Sequence, residues 1–257
     1  MTAETFVDAE VLRDALSGPG RLFSGFTCVP STASTNADLA AAARAGAASG
    51  TVLVADHQSA GRGRFDRKWE APPGTAVAVS VLLRPEGASA ARWLWLPLIT
   101  GVAVAEGLHA AAGVEAEVKW PNDVLVGGRK VCGILCERVD DGAVIGIGIN
   151  TALSDDQLPV PTATSLRLAG SDASPTEVVL GVLEALEHSY RRWATAEDLR
   201  EWYGRRCATV GREVRVLQPA GGHIEGRATG VDDGGRLLVW TAFGERAFAA
   251  GDVLHLR

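Results

Sequence analysis

Residues 119–150 read K-W-P-N-D-V-L-V-G-G-R-K-V-C-G-I-L-C-E-R-V-D-D-G-A-V-I-G-I-G-I-N, and this stretch decides the fold. Gly127-Gly128 is a two-residue turn of hairpin type, and Asp140-Asp141-Gly142 is a second turn. The segments around them are short, β-branched and apolar: Val124–Val126, Arg129–Arg138 and Ala143–Asn150. The stretch therefore predicts an antiparallel meander. It also carries polar groups that a purely structural sheet does not require: Asn122 and Asp123, Lys130, and Asn150.

Upstream lies a second unusual stretch, Q-S-A-G-R-G-R-F-D-R-K-W, from Gln58 to Trp69. Arg62, Arg64, Arg67 and Lys68 crowd around Gly61 and Gly63. Glycine lets a backbone approach a ligand closely. Arginine offers forked donors that suit phosphate or carboxylate oxygens. Taken alone, the stretch is either an anion-binding loop or a solvated basic turn. Two buried strands are expected to flank it, Thr51–Ala55 and Ala76–Leu83, both nearly continuous in apolar residues.

Helices are expected on either side of these strands. Ala3–Leu16 has amphipathic spacing. Leu39–Ala45 is alanine-rich and follows Ser34-Thr35-Asn36, with Asp38 placed three residues beyond Thr35 as in a capping box. A long helix is predicted over 91–112, with Gly113 as its stop. Another starts at Ser174-Pro175, a cap followed by proline at the first helical position, and runs to Ala194, with a further piece from Ala196 to Cys207. Beyond Thr209 the pattern changes to short strands at 213–217, 224–229, 236–240 and 245–248, a small all-β module.

Composition excludes several classes. Hydrophobic residues make up 47% and charged residues 22%, which supplies a real core. The net charge of -6 argues against a general nucleic-acid binder and makes the cationic stretch a local feature. About twenty residues precede the first strand, too few for a helix-turn-helix domain. The most apolar run, Trp93–Ala112, contains Pro97, Glu106 and His109 and reads as a core helix rather than a membrane span. The N-terminus lacks a signal pattern. Cys28, Cys132, Cys136 and Cys207 form no C-x-x-C pair, and Cys132 and Cys136 share a strand face as core thiols. A reducing, cytoplasmic location with no membrane partner is expected.

In combination these segments resemble the biotin–protein ligases, over essentially the whole chain. The residues that carry the resemblance are Ser34-Thr35-Asn36, the loop Gly61–Trp69 (G-R-G-R-x-x-R-x-W), Lys119–Asp123 (K-W-P-N-D), Lys130 with Gly133, and Gly146–Asn150 (G-x-G-x-N). Phe65-Asp66 departs from the pattern, because some members carry Arg-Gly there. That exchange costs the loop a glycine and adds an acid. The resemblance implies an α+β fold, with a mixed, largely antiparallel sheet flanked by helices and similar to class II synthetases over residues 1–208. An SH3-like β-barrel is implied for 209–257. It further implies a monofunctional ligase without a DNA-binding domain, using biotin and ATP–Mg²⁺ to form biotinyl-5′-AMP. The biotin then passes to a lysine of a biotin carboxyl carrier domain of acyl-CoA or pyruvate carboxylases.

The resemblance also implies roles. Lys130, Arg64 and Arg67 are the catalytic cations. Ser34, Thr35, Asn36, Gln58, Gly61, Arg62, Arg64, Lys130 and Gly133 are implied for biotin. Arg64, Arg67, Trp69, Asn122, Lys130, Gly148 and Asn150 are implied for ATP, with Trp69 packing on the adenine. Asp123 is a candidate for metal, or for orienting Lys119, or simply part of a turn. Gly133, Gly146 and Gly148 clear the way for the ligand or serve close packing. His57 has no required proton transfer. A lipoate or octanoyl ligase shares the general fold, and a biotin-sensing regulator of nucleic acid is the reading from a different class.

Overall fold

The computed structural model describes residues 7–85, 90–195, 199–219 and 221–256. In chain order the first half comprises α1 (Ala9–Leu16), β1 (Gly25–Thr32), α2 (Thr35–Arg44), β2 (Thr51–Gln58), β3 (Ala76–Leu83), α3 (Ala90–Trp93) and α4 (Trp95–Ala112). There follow β4 (Glu117–Lys119), β5 (Asp123–Val126), β6 (Arg129–Val139), β7 (Gly142–Asn150), α5 (Pro175–Thr195) and α6 (Arg200–Gly204). The last five strands are β8 (Glu213–Leu217), β9 (His223–Val231), β10 (Leu237–Thr241), β11 (Gly244–Phe248) and β12 (Asp252–His255).

The first seven strands form one sheet in the order β1-β2-β3-β7-β6-β5-β4. β1 and β2 are parallel, joined through α2, and every other neighbouring pair is antiparallel. The predicted meander is present, and it begins one strand earlier than the sequence suggested, at β4. Its register explains the sequence pattern. Ile145, Ile147 and Ile149 point to one face and are buried, against Val77, Val79 and Val81 across β3. With a side-chain period of two, Gly146 and Gly148 must then face the other way. Ser80 pairs with Gly146, and Ala78 and Gly133 both pair with Gly148. Around Gly133, Gly146 and Gly148 that second face is therefore nearly stripped of side chains, and that is where the cleft lies.

The isoleucine face packs under α4 and α5. These two helices approach so closely that a Cβ on Gly107 would sit 2.5 Å from Val182 Cα. Cys132, Ile134 and Cys136 join the same layer, so the two cysteines do share a face. On the opposite face α2 covers a smaller apolar cluster of Leu39, Ala40, Ala43, Leu82, Val139 and Val144. α4 is the one helix among the described residues long and apolar enough to cross a membrane, and most of it is buried in this core.

Several expectations are corrected. α2 starts at Thr35 rather than Leu39, because Ser34 is the N-cap and accepts from Ala37 N–H. Asp38 does not complete a box with Thr35; it accepts from the Thr32 hydroxyl. The helix over 91–112 is broken at Leu94, since Pro97 has no N–H for the preceding turn. The first helix spans 9–16 behind an Asp8 cap, with 1–6 outside the described residues. The piece expected from Ala196 is the short α6, and 196–198 lie outside the described residues. Ser174 caps α5 as expected, accepting from Glu177 N–H, and its own N–H donates to Glu177 Oε2 at 2.8 Å, which completes a capping box.

The C-terminal strands form an antiparallel sheet in the order β11-β10-β9-β8-β12. β12 was not expected. Its four residues, Asp-Val-Leu-His, are too few and too polar to stand out as a strand. Two indoles join this module to the larger unit: Trp95 Nε1 donates to Asp233 O at 2.8 Å and Trp120 Nε1 to Gly235 O at 3.2 Å.

Candidate active site

A cleft opens on the stripped part of the large sheet. Ser34, Thr35, Asn36, Gln58, Arg62, Arg64, Arg67, Trp69, Asn122, Asp123, Lys130, Gly133 and Gly148 all line it. Residues from α2, β2, the following loop, β5, β6 and β7 are thus brought to one place. Gly61 and Asn150, implied for the same site, are not on its wall. Gly61 is buried at the base of the loop, where a Cβ would meet Trp69 O at 2.3 Å. Asn150 is buried at the end of β7 and donates through Nδ2 to Thr164 O at 2.9 Å.

The 59–69 loop is sewn to its surroundings. Ser59 and Ala60 N–H groups bond Thr32 O and Ala33 O at 3.0 and 2.9 Å, extending the β1–β2 pairing. Trp69 N–H bonds Gly61 O at 2.9 Å, and Gly63 N–H bonds Arg67 O at 2.7 Å. Phe65 takes the left-handed conformation at φ 55°, a strained position for a bulky side chain. The side chain of Asp66 lies outside the described residues.

Each loop cation has a defined partner. Arg62 Nη2 donates to Glu137 Oε2 at 3.0 Å. Arg64 donates to Asn122 Oδ1 at 2.9 Å and to Gly251 O at 3.2 Å, and lies 3.6 Å from Asp252 Oδ1. Arg67 is paired with Asp252. Burial lowers the Arg64 pKa, and Asp252 and Asp123 oppose that shift. Lys68 is exposed and pairs with Glu70. The C-terminal module thus supplies one wall of the site through β12.

Lys130 Nζ lies 2.5 Å from Asp123 Oδ1 and 5.7 Å from the centre of the Trp69 ring. The indole of Trp69 lies over the glycines. A Cβ on Gly148 would come within 2.5 Å of its ring, and one on Gly133 within 3.0 Å. Gly146 leaves room for Asn36, whose Oδ1 would be 2.3 Å from an added Cβ. These glycines thus make space for site side chains as well as for a ligand. Below them, burial lowers the Lys119 pKa, opposed by Asp123 and reinforced by Lys130. His255 on β12 is pushed down to about 4, by burial first and then by Lys119 and Arg212.

At another part of the cleft the groups are neutral. Thr35 donates to Gln58 Oε1 through its N–H at 2.8 Å, and its hydroxyl lies 3.0 Å from the same oxygen. Ser80, fully buried on β3, lies 2.7 Å from both the Thr35 hydroxyl and Asn36 Oδ1. Asn36 Nδ2 donates to Leu135 O at 3.1 Å and to Glu137 Oε2 at 2.8 Å. Ser80, Glu137 and Asp252 were not singled out in the sequence. A lone serine in the apolar run A-V-A-V-S-V-L-L was the one readable signal. The other two depend on pairings across 75 and 185 residues.

No resident metal fits this donor set. Among the described residues no group of three or more His, Cys, Asp or Glu side chains converges. The cleft carboxylates, Asp123 and Asp252, are both engaged by cations. What the cleft can do is hold a molecule with a neutral hydrogen-bonding head and an anionic end, and neutralise further anionic charge next to it.

Comparisons with known proteins agree with this chemistry. Residues 26–150 match the biotin/lipoate A/B protein ligase family, and 209–256 match the biotin protein ligase C-terminal domain. A biotin–[acetyl-CoA-carboxylase] ligase from Mycobacterium tuberculosis is 38% identical, over 98% of this chain and 96% of its own length. Another ligase of that name, from Paracoccus denitrificans, is 32% identical over 86% of this chain and 97% of its own. A solved biotin protein ligase from Aquifex aeolicus, in complex with biotin and ATP, superposes with a TM-score of 0.79 at 30% identity, covering 91% of this chain and all of that one. With the two family matches in chain order and a relative similar from end to end, the chain belongs to the biotin protein ligase family.

Proposed function

We propose that this enzyme attaches biotin to a lysine of biotin carboxyl carrier domains in two steps. A biotin carboxylate oxygen attacks the α-phosphorus of ATP, and the bond to pyrophosphate breaks. The neutral amine of the carrier lysine then attacks the acyl carbon of biotinyl-5′-AMP. AMP leaves, an amide forms and one proton is released. The first step makes a poor electrophile reactive. The second must precede hydrolysis, so the site has to exclude water.

The observation that carries this reading is the pairing, in one cleft, of Ser34, Thr35 and Gln58 with Lys130, Arg62, Arg64 and Arg67. The neutral set suits the ureido ring of biotin. The cations suit its carboxylate and the phosphates. Lys130 bridges carboxylate and α-phosphate and offsets the charge that develops between two anions. Asp123 holds the Lys130 ammonium in place at 2.5 Å. Arg64 and Arg67 retain the adenylate, and Trp69 with Asn122 borders the nucleotide. Magnesium enters with the ATP phosphates as part of the substrate, in keeping with its reluctance to shed water for an all-protein cage. Residues 1–208 form the catalytic unit, and 209–257 close it through β12. The four free cysteines suit a cytoplasmic setting, where ATP and the carrier are both present.

The test is pyrophosphate release with ATP and each of biotin, lipoate and octanoate. Release with biotin alone is expected. Release with lipoate or octanoate but not biotin would transfer the chain to the other branch of its matched family.

A further inference from the structure

One carboxylate connects the neutral end of the cleft to the cationic loop. Glu137 Oε2 accepts from Asn36 Nδ2 at 2.8 Å and from Arg62 Nη2 at 3.0 Å. From Asn36 the contacts continue through Ser80 to Thr35 and Gln58, each at 3.0 Å or less. The chain runs from the wall of the cleft to the loop without a break.

Counting protons along it gives it a direction. A carboxylate only accepts, as does the Leu135 carbonyl at 3.1 Å, so Asn36 must turn its amide nitrogen to these two and its oxygen to Ser80, with Glu137 the closer of the two acceptors. The Ser80 hydroxyl has one proton and two neighbours at 2.7 Å. Asn36 Oδ1 can only accept, so that proton goes to it. The Thr35 hydroxyl then uses its own proton within the network, on Ser80 or Gln58, and turns lone pairs toward the cleft. Gln58 Oε1 is held by the Thr35 N–H, which leaves the Gln58 amide nitrogen as the donor. Ser34 Oγ accepts from Ala37 N–H in the helix cap and keeps its proton for a ligand oxygen.

We propose that Glu137 is a positioning residue for specificity, fixing the hydrogen-bond polarity of the cleft while seating Arg62. With Glu137 in place the cleft presents an acceptor at Thr35 and donors at Ser34 and Gln58. That set matches a cyclic urea, which offers N–H donors and a carbonyl acceptor on one edge. A dithiolane or a plain acyl chain has neither. With the polarity reversed, an acceptor would be lost at Thr35 and a buried polar group left unpaired, which is costly. The inference rests on the reading that biotin is the substrate.

The test uses the full chain and Glu137→Gln, whose amide can present either an acceptor or a donor to Asn36. Biotin and biotin methylated on a ureido nitrogen are compared by pyrophosphate release at saturating ATP. In the wild type the methylated analogue should be the poorer substrate. The variant is expected to raise the KM for biotin about tenfold with kcat changed less than about twofold, and to lose most of the preference over the analogue. The double variant with Arg62→Ala should lose less than the sum of the two single losses, because both act through one carboxylate. An unchanged KM and an unchanged preference would overturn the proposal. So would a fall in kcat and melting temperature at constant KM, which marks a merely structural residue. A wild type that releases no pyrophosphate with biotin would instead overturn the substrate reading itself.

Discussion

Lys130 and Asp123 sit on neighbouring strands with Nζ and Oδ1 2.5 Å apart, and both line the cleft, with Lys130 Nζ over the Trp69 ring at 5.7 Å from its centre. β6 turns back from β5 through Gly127-Gly128, so a lysine seven residues past the aspartate returns beside it. The carboxylate aims the ammonium without removing it from solvent, since both side chains remain partly exposed. Replacing Lys130 by Ala should therefore abolish adenylate formation, by at least about a hundredfold for a lost electrostatic group. The melting temperature should change little. Wild-type pyrophosphate release by the variant would contradict the role given to Lys130.

Arg64 ties the loop to two other elements, through Asn122 and through Gly251 and Asp252 of the C-terminal module. Arg64→Ala is expected to speed dissociation of biotinyl-5′-AMP by about tenfold or more, as loss of a charge-assisted contact should. Trapping released adenylate after a single turnover measures this. Unchanged retention would show that the loop holds the intermediate without Arg64.

Gly148 is the position on the sheet most tightly covered by Trp69. Gly148→Ala puts a methyl group where the indole lies, and flexible movement of a tryptophan over a sheet is limited. The variant should lose about 1–3 kcal/mol of stability through overpacking. It should also raise the KM for ATP as Trp69 is displaced, and tryptophan fluorescence would report the movement. Wild-type stability and wild-type emission together would show that the ring is free to slide.

His255 gives the C-terminal module a response to acid. Its Nε2 lies 3.0 Å from the Thr209 hydroxyl, which also accepts from Trp120 N–H. Burial, Lys119 and Arg212 hold its pKa down at about 4 in the fold. An unfolded histidine titrates at about 6.5. Between those values the unfolded chain binds more protons, so stability falls as the pH drops from about 6.5 toward 4. His255→Gln should flatten the melting-temperature profile in that window and leave it unchanged above pH 7. Equal slopes in both proteins would exclude His255 as the cause.

Much of this was legible in the sequence because it is local. Gly127-Gly128 and Asp140-Asp141-Gly142 mark turns, and Ser174-Pro175 marks a helix start. The glycine–arginine loop was legible as chemistry but not as geometry. Which carboxylate each arginine meets depends on β6 for Arg62 and on β12 for Arg64 and Arg67. Long-range partners have no periodic signature. The start of α2 was misplaced for a related reason: Thr35 and Asn36 are poor helix formers by propensity, and their bonds to Gln58, Ser80 and Glu137 override it.

The central claim is transfer of biotin to protein through an adenylate. The most direct measurement is intact mass spectrometry of a purified biotin carboxyl carrier domain incubated with this protein, biotin, ATP and magnesium. The expected result is addition of one biotin per carrier. It should depend on ATP and be absent when the acceptor lysine is replaced by arginine or when Lys130→Ala is used. A carrier that gains no mass while the same preparation attaches lipoate or octanoate would contradict the claim.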